Sequence, residues 1–212
     1  MAAAPVSAAL ACAAVALLLA GCATQPVKAP AGAPADAARR ATLQALAGYS
    51  LRGQLAASNG SEGFSAQLDW RQQGEAVHAV LRAPLGVGGA ELDYAGGELR
   101  FVGNDGRRLE GPAAEEALAR SLGFAPPLAS LRFWLLGVPD PGVDPVGEPP
   151  GEPAVEQADA QGRPLQLGQS GWRVGYSDYV LARGQWLPGR VTLERAPLRL
   201  KLRVLRWDLA GG

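Results

Sequence analysis

The chain holds a single histidine and two cysteines, so its stock of residues for nucleophilic, metal or acid–base chemistry is short. His78 sits in an alternating apolar stretch with Glu75 and Arg82 as its nearest charged neighbours along the chain. An imidazole can work as a base near neutral pH, but a strand residue whose ring is held by a hydrogen bond needs no such role. One histidine without a free thiol removes most transition-metal sites, and zinc chemistry is not expected. Gly168-Gln169-Ser170-Gly171 is spaced almost like a nucleophile elbow. Its second glycine comes one residue early and no strand-to-helix turn surrounds it, so a hairpin turn is the better reading. Glu115-Glu116 and the acids from Asp140 to Asp144 could hold a cation or move protons, yet the first pair suits a helix N-terminus and the second a solvated loop. No catalytic residue, metal ligand or cofactor site follows, and the chain is not expected to be an enzyme.

Cys22 is the residue with a chemical task. An apolar run from Val6 to Ala20 ends in Leu19-Ala20-Gly21-Cys22 and gives way to Thr24, Gln25, Pro26 and Lys28. As a helix the run is about 22 Å long, against a hydrocarbon core of about 30 Å, which marks a signal peptide and not a span. Small residues before the cut and a thiol directly after it form a lipobox. The thiol is the one nucleophile there that can take a diacylglyceryl group. Residues 1–21 are thus expected to be removed together with Cys12, leaving Cys22 as the acylated N-terminus and no disulfide. The only non-protein group expected is that lipid: diacylglycerol on the sulfur and an N-acyl chain. From Ala23 to Ala35 the composition is Ala, Pro and Gly, too poor in large apolar residues to pack. Residues 22–35 therefore read as lipidated N-terminus and tether, reaching roughly 40 Å when extended.

Residues 36–212 are one domain by length, with 20 basic and 20 acidic residues in the whole chain balancing to zero, which gives no reason to expect nucleic acid. Asp36 is placed to cap a short helix through Arg39, Leu43 and Leu46 that ends at Gly48. The period then changes to two. Tyr49, Leu51, Leu55 and Ala57 alternate with polar residues, as do Phe64, Ala66, Leu68 and Trp70 after an Asn59-Gly60 turn. Further strands are predicted over 76–82, 90–94, 98–102 and 107–110, giving an antiparallel meander. Helices are predicted from Pro112 to Ser121 and, very apolar, from Pro126 through Trp134, Leu135 and Leu136. An acidic, Pro- and Gly-rich connection from Asp140 to Asp159 should end in an edge strand. Strands return around Trp172, Trp186, Val191 and Leu198. A slip in the alternation between Val204 and Leu205 predicts a bulge, after which Leu205, Trp207 and Leu209 should face inward.

Two features remain. Trp134, Leu135 and Leu136 are consecutive, so one helix face cannot hide them all and a second surface must. Pro84-Leu85-Gly86-Val87-Gly88-Gly89 puts Leu85 and Val87 in a turn; they are either buried there or mark a partner or membrane contact.

Several segments carry a family resemblance: Gly63-Phe64-Ser65 with Trp70-Arg71-Gln72, Pro84-Leu85-Gly86, Leu131-Arg132-Phe133-Trp134-Leu135-Leu136-Gly137 with Pro139, Gln169 with Gly171-Trp172, Tyr176, Tyr179, and Lys201-Leu202 with Trp207. Together, from about Asp36 to Leu209, they resemble the LolB family of outer-membrane lipoprotein receptors. The resemblance implies an unclosed antiparallel β-barrel, mainly β with short helices forming a lid over an apolar cavity. It implies acylated lipoprotein cargo, a LolA-like periplasmic carrier as donor, outer-membrane phospholipid as destination, and a monomer. The protruding loop would be Pro84-Leu85-Gly86, with Leu85 delivering cargo. Alanine at position 23, where aspartate commonly retains such lipoproteins at the inner membrane, favours the outer one. Inward-alternating Leu51, Leu55, Phe64, Leu68, Trp70 and Leu92, with Trp134 from the lid, are the expected cavity lining. The basic excess from Arg163 to Arg206 is either a surface that steers the carrier or a solvated strand face. A structural envelope lipoprotein without cargo is the alternative function, and a lipid hydrolase using Ser170 or His78 the third.

Overall fold

A computed structural model describes residues 34–60, 63–84, 89–142 and 154–209 of the 212. The segment read as a signal peptide, Cys22 and the part before Pro34 of the segment read as a tether lie outside the described residues, as do Leu85 and Gly86. Helix α1 (Pro34–Gln44) starts two residues inside the segment read as tether. Asp36 is not its cap: it lies in the first turn, buried, with an oxygen 2.8 Å from Arg40 Nη2. Nor does Gly48 end the helix, since it begins the first strand.

The period-two stretches become strands as predicted: β1 (Gly48–Ser58), β2 (Gly63–Gln73), β3 (Ala76–Arg82), β4 (Gly89–Ala95), β5 (Glu98–Val102) and β6 (Arg108–Glu110). Helices α2 (Gly111–Leu122) and α3 (Leu128–Trp134) follow. Pro112 opens α2, where its missing N–H costs nothing, and Gly123 closes it at φ 78°. The last third supplies β7 (Ala154–Ala158), β8 (Pro164–Gln169), β9 (Trp172–Ser177), β10 (Val180–Ala182), β11 (Gln185–Leu187), β12 (Arg190–Arg195) and β13 (Leu198–Leu209). Strand β8 has no counterpart in the sequence reading, because Pro164-Leu165-Gln166-Leu167-Gly168-Gln169 offers only two large apolar residues to the alternation.

Eleven strands form one antiparallel sheet in the order β6-β5-β4-β3-β2-β1-β13-β12-β9-β8-β7, while β10 and β11 make a separate hairpin. The meander is real, and the last strand joins the first. Strand β7 takes the expected edge. The two edges do not pair with each other, so the barrel is open. Its concavity shows in the core: residues from β1 to β5, from β8, β9, β12 and β13 and from all three helices belong to a single buried cluster.

The bulge falls where the alternation slips. Arg52 faces Arg206 but Gly53 faces Val204, leaving Leu205 as the extra residue. Leu205 itself does not turn inward, contrary to the sequence reading. It is 55% exposed, because the extra residue of a bulge leaves the ladder, and the inward series resumes at Trp207 and Leu209. Opposite the bulge the strands approach closely: a Cβ on Gly53 would sit 2.7 Å from the Arg203 carbonyl oxygen and 2.8 Å from Leu202 Cδ1. Gly53→Ala should therefore force the β1–β13 ladder apart and cost about 1–3 kcal/mol, the usual range for overpacking. Urea unfolding measures this, and an unchanged midpoint would contradict the close approach.

Candidate functional site

The sheet register assembles the inner face row by row. Leu51 stands opposite Trp70, Trp70 opposite Ala79, Ala79 opposite Leu92 and Leu92 opposite Phe101. Five strands thus contribute one apolar line, because every second residue of each strand shares a face. Leu55 lies between Ala66 and Leu202, and Leu68 between Gly53 and Leu81. Six residues expected to line a cavity, Leu51, Leu55, Leu68, Trp70, Leu92 and Trp134, are buried in the same cluster, and Phe64 is half-buried against it. The sequence reading omitted Leu99, Phe101, Trp172, Val191 and Leu193 from this group, although their strands alternate just as clearly. Pro84 is exposed at the end of β3.

Helix α3 belongs to the same buried cluster and is tied to β1 through Tyr49 and to β8 and β9 through Gln169 and Trp172. Its consecutive Trp134, Leu135 and Leu136 are all buried, since the helix ends at Trp134 and the following turn swings the two leucines to new directions. Trp134 is fully buried and its ring centroid lies 6.4 Å from that of Trp172. The second surface required by the sequence is therefore the far end of the sheet.

Side-chain hydrogen bonds hold the cover in place. Trp134 Nε1 and the Asp140 backbone N–H both donate to Gln169 Oε1, at 2.8 and 2.9 Å, and Gln169 Nε2 donates back to the Asp140 carbonyl at 2.9 Å. Tyr49 donates its hydroxyl proton to the Arg132 carbonyl at 2.8 Å. Arg39 from α1 reaches the carbonyls of Leu136 and Gly137 at 3.3 Å and that of Trp186 at 3.0 Å. Burial pushes the Tyr49, Tyr176 and Tyr179 hydroxyls well above their ordinary range, so they stay protonated donors. Burial also lowers the Arg39 guanidinium, an effect that Tyr179 and Asp36 nearby oppose.

The outer face is polar. His78 Nδ1 lies 2.8 Å from Asp93 Oδ1 and 4.0 Å from Glu91 Oε1, so its charged neighbours come from β4 and not from Glu75 and Arg82. Glu75 instead approaches Arg132, and Arg82 hydrogen-bonds Asp69. A hydrogen bond from Arg52, at 2.7 Å, holds the Asp69 carboxyl below its usual range. The donor atoms of His78, Glu91 and Asp93 lie within 4.8 Å of one another, a grouping absent from the sequence reading, which weighed only acids adjacent along the chain as cation ligands. These side chains are all well exposed and the ring nitrogen already has Asp93, so a cross-strand hydrogen bond accounts for the group. Ser170 takes φ 51° and Gly171 φ 72° in the tight turn between β8 and β9, the hairpin that their sequence predicts. No helix follows the serine, which removes the geometry of a nucleophile elbow.

Of the basic residues between Arg163 and Arg206, several are engaged. Arg163 binds Asp159 at 2.6 Å and lies over the Tyr179 and Trp186 rings. The Asp159 carboxyl is held below its usual range: burial opposes this, but hydrogen bonds from the Arg163 side chain and from backbone N–H groups outweigh it. Arg199 pairs with Glu194 at 2.7 Å, and Arg190 with Asp178 at 3.2 Å.

Comparison with known proteins places this architecture. The family described as outer membrane lipoprotein LolB matches residues 47–207. The outer-membrane lipoprotein LolB of Azoarcus sp. is 34% identical over 95% of this chain and 95% of its own. That of Nitrosococcus oceani is 33% identical over 91% of this chain and 93% of its own. A LolA superfamily protein of Nitrosomonas europaea shares 8% identity over 83% of this chain and 94% of its own, with a TM-score of 0.47. Agreement that runs from the first strand to the last, at such identity over nearly the full length of both curated relatives, makes the chain a member of the LolB family of outer-membrane lipoproteins.

Proposed function

We propose that this protein accepts acylated lipoproteins from a LolA-like periplasmic carrier and inserts them into the inner leaflet of the outer membrane, itself held there by lipid on Cys22. The observation that carries the reading is the continuous apolar line from Leu51 to Phe101, buried in one cluster with residues of α3, a short helix tied to β1 and β8 by side-chain hydrogen bonds. An acyl chain gains about 0.8 kcal/mol for each CH₂ it buries, so it can pass from carrier to cavity to bilayer without ATP provided each site is comparably apolar. The inner-face residues Leu51, Leu55, Phe64, Leu68, Trp70 and Leu92 would meet the chain once Trp134 lifts. The Tyr176 hydroxyl, buried with no hydrogen-bond partner among the described residues, is the kind of donor that a cargo ester carbonyl would satisfy. Pro84-Leu85-Gly86 would be the delivering loop, and the exposed position of Pro84 at the strand end supports a loop presented to solvent or membrane.

The tight burial of Trp134 also suits the alternative, an envelope lipoprotein with a solid core and no cargo. Opening distinguishes the two. Gln169 anchors the cover through hydrogen bonds worth on the order of 1 kcal/mol each. In Gln169→Ala, uptake of an acylated peptide, followed by displacement of a hydrophobic dye, should quicken severalfold; a protein without a cargo cavity would show no uptake in either form. For delivery, Leu85→Glu should leave the fold and peptide uptake intact while slowing cargo insertion into vesicles at least tenfold. Insertion at the normal rate by the folded variant would sink the loop assignment.

A further inference from the structure

Strand β13 alternates Arg199, Lys201 and Arg203 onto the outer face of the sheet. Lys201 and Arg203 have no ion-pair partner among the described residues, and both are exposed. Across the sheet from them the outward positions are small or neutral: Lys201 is followed by Ala56 and Ser65, and Arg203 by Gln54 and Gln67. Between these cations and the neutral side chains runs a groove of about 580 Å³, bordered also by Arg190 and Pro84 and floored by the strands at Leu55, Ala66 and Leu202. Among the described residues no carboxylate lines it.

The register adds a cost. Arg190 and Arg203 stand directly opposite each other on β12 and β13, and like charges in that position destabilise a sheet. Asp178 relieves Arg190 alone. A chain that is otherwise charge-balanced thus concentrates three cations in one concave site, which favours an anion with several acceptor oxygens.

We infer that this groove binds the phosphodiester headgroup of an anionic phospholipid, so that the body of the protein lies against the outer membrane's inner leaflet with Pro84 beside the bilayer. Family membership puts a membrane within reach of the chain. The inference rests on the proposal that the loop after Pro84 meets that membrane. A carrier protein is the less suitable occupant, because acyl chains are handed over at the inner face and the groove opens on the outer one.

The test uses the acylated full-length mature protein in vesicles of phosphatidylcholine, with or without phosphatidylglycerol, each carrying a trace of lipid with a dansyl-labelled headgroup. Energy transfer from tryptophan to dansyl reports how closely the body approaches the surface. Transfer should be higher on the anionic vesicles, and the excess should vanish at high salt. Removing Lys201 and Arg203 charges, as Lys201→Ala with Arg203→Ala, should lower the surface-bound population about fivefold for each. Leu85→Glu should reduce transfer on both vesicles and keep the anionic excess; if it changes neither, the loop reading fails while the groove stands. An undiminished anionic excess in the double variant overturns the groove. Should that variant also lose only carrier-dependent delivery, the site belongs to the carrier and the inference is likewise overturned.

Discussion

The structure depends on one constraint: an antiparallel sheet with a continuous apolar face, open at both edges, must be covered by something that is not another strand. Closing the barrel would solve the problem permanently, but β6 and β7 do not pair. Helices take that place instead: α2 against β5 and β6 and, toward β8 and β9, α3. At seven residues α3 is too short to persist alone in water, so it exists because the sheet gives its leucines and Trp134 somewhere to go. The dependence is mutual. Trp172 on β9 packs on both Trp134 and Phe124, so the far side of the sheet is tied to the region around α3 by aromatic contact and not by a ladder.

A cover held in this way differs from a core layer in how it can be released. Its anchors at Gln169, Tyr49 and Arg39 are side-chain hydrogen bonds to backbone or to another side chain, and each can be exchanged for water. The sheet beneath keeps its own ladder when they break. Membership of the LolB family places the protein at the outer membrane and outside the enzymes, which agrees with a molecule whose working parts are surfaces and hydrogen bonds and not a reactive group.

Most of the fold was legible because alternation is a strong signal. The residues of β3 and β5 and the bulge at Leu205 follow directly from it. What was illegible depended on side-chain partners and burial that alternation does not encode. Asp36 looked like a helix cap, but Arg40 and its own burial draw it into the first turn. His78 found its charges on β4, 13 and 15 residues away, across a hairpin that no local pattern describes. Gln169 was noticed only within a turn motif and a family resemblance, while its task of clamping Trp134 and Asp140 is set 35 and 29 residues away. The inner-face residues could be named from their period, but a helical cover followed only from the crowding of Trp134, Leu135 and Leu136 and from the family resemblance.

That packing bears on the proposed role through population. In the closed form the protein fills its own apolar face, so on the proposed reading cargo would bind only the fraction of molecules whose cover is open, and its apparent affinity would fall by that fraction. For a permanent store this would be a defect. For a molecule acting between a carrier and a bilayer, as proposed, it would be an advantage, because a returning helix would compete with cargo for Leu51, Trp70 and Leu92 and so favour release. The free energy that seats Trp134 against Trp172 would then act in the direction of delivery, with the destination set by the membrane that the protein lies against.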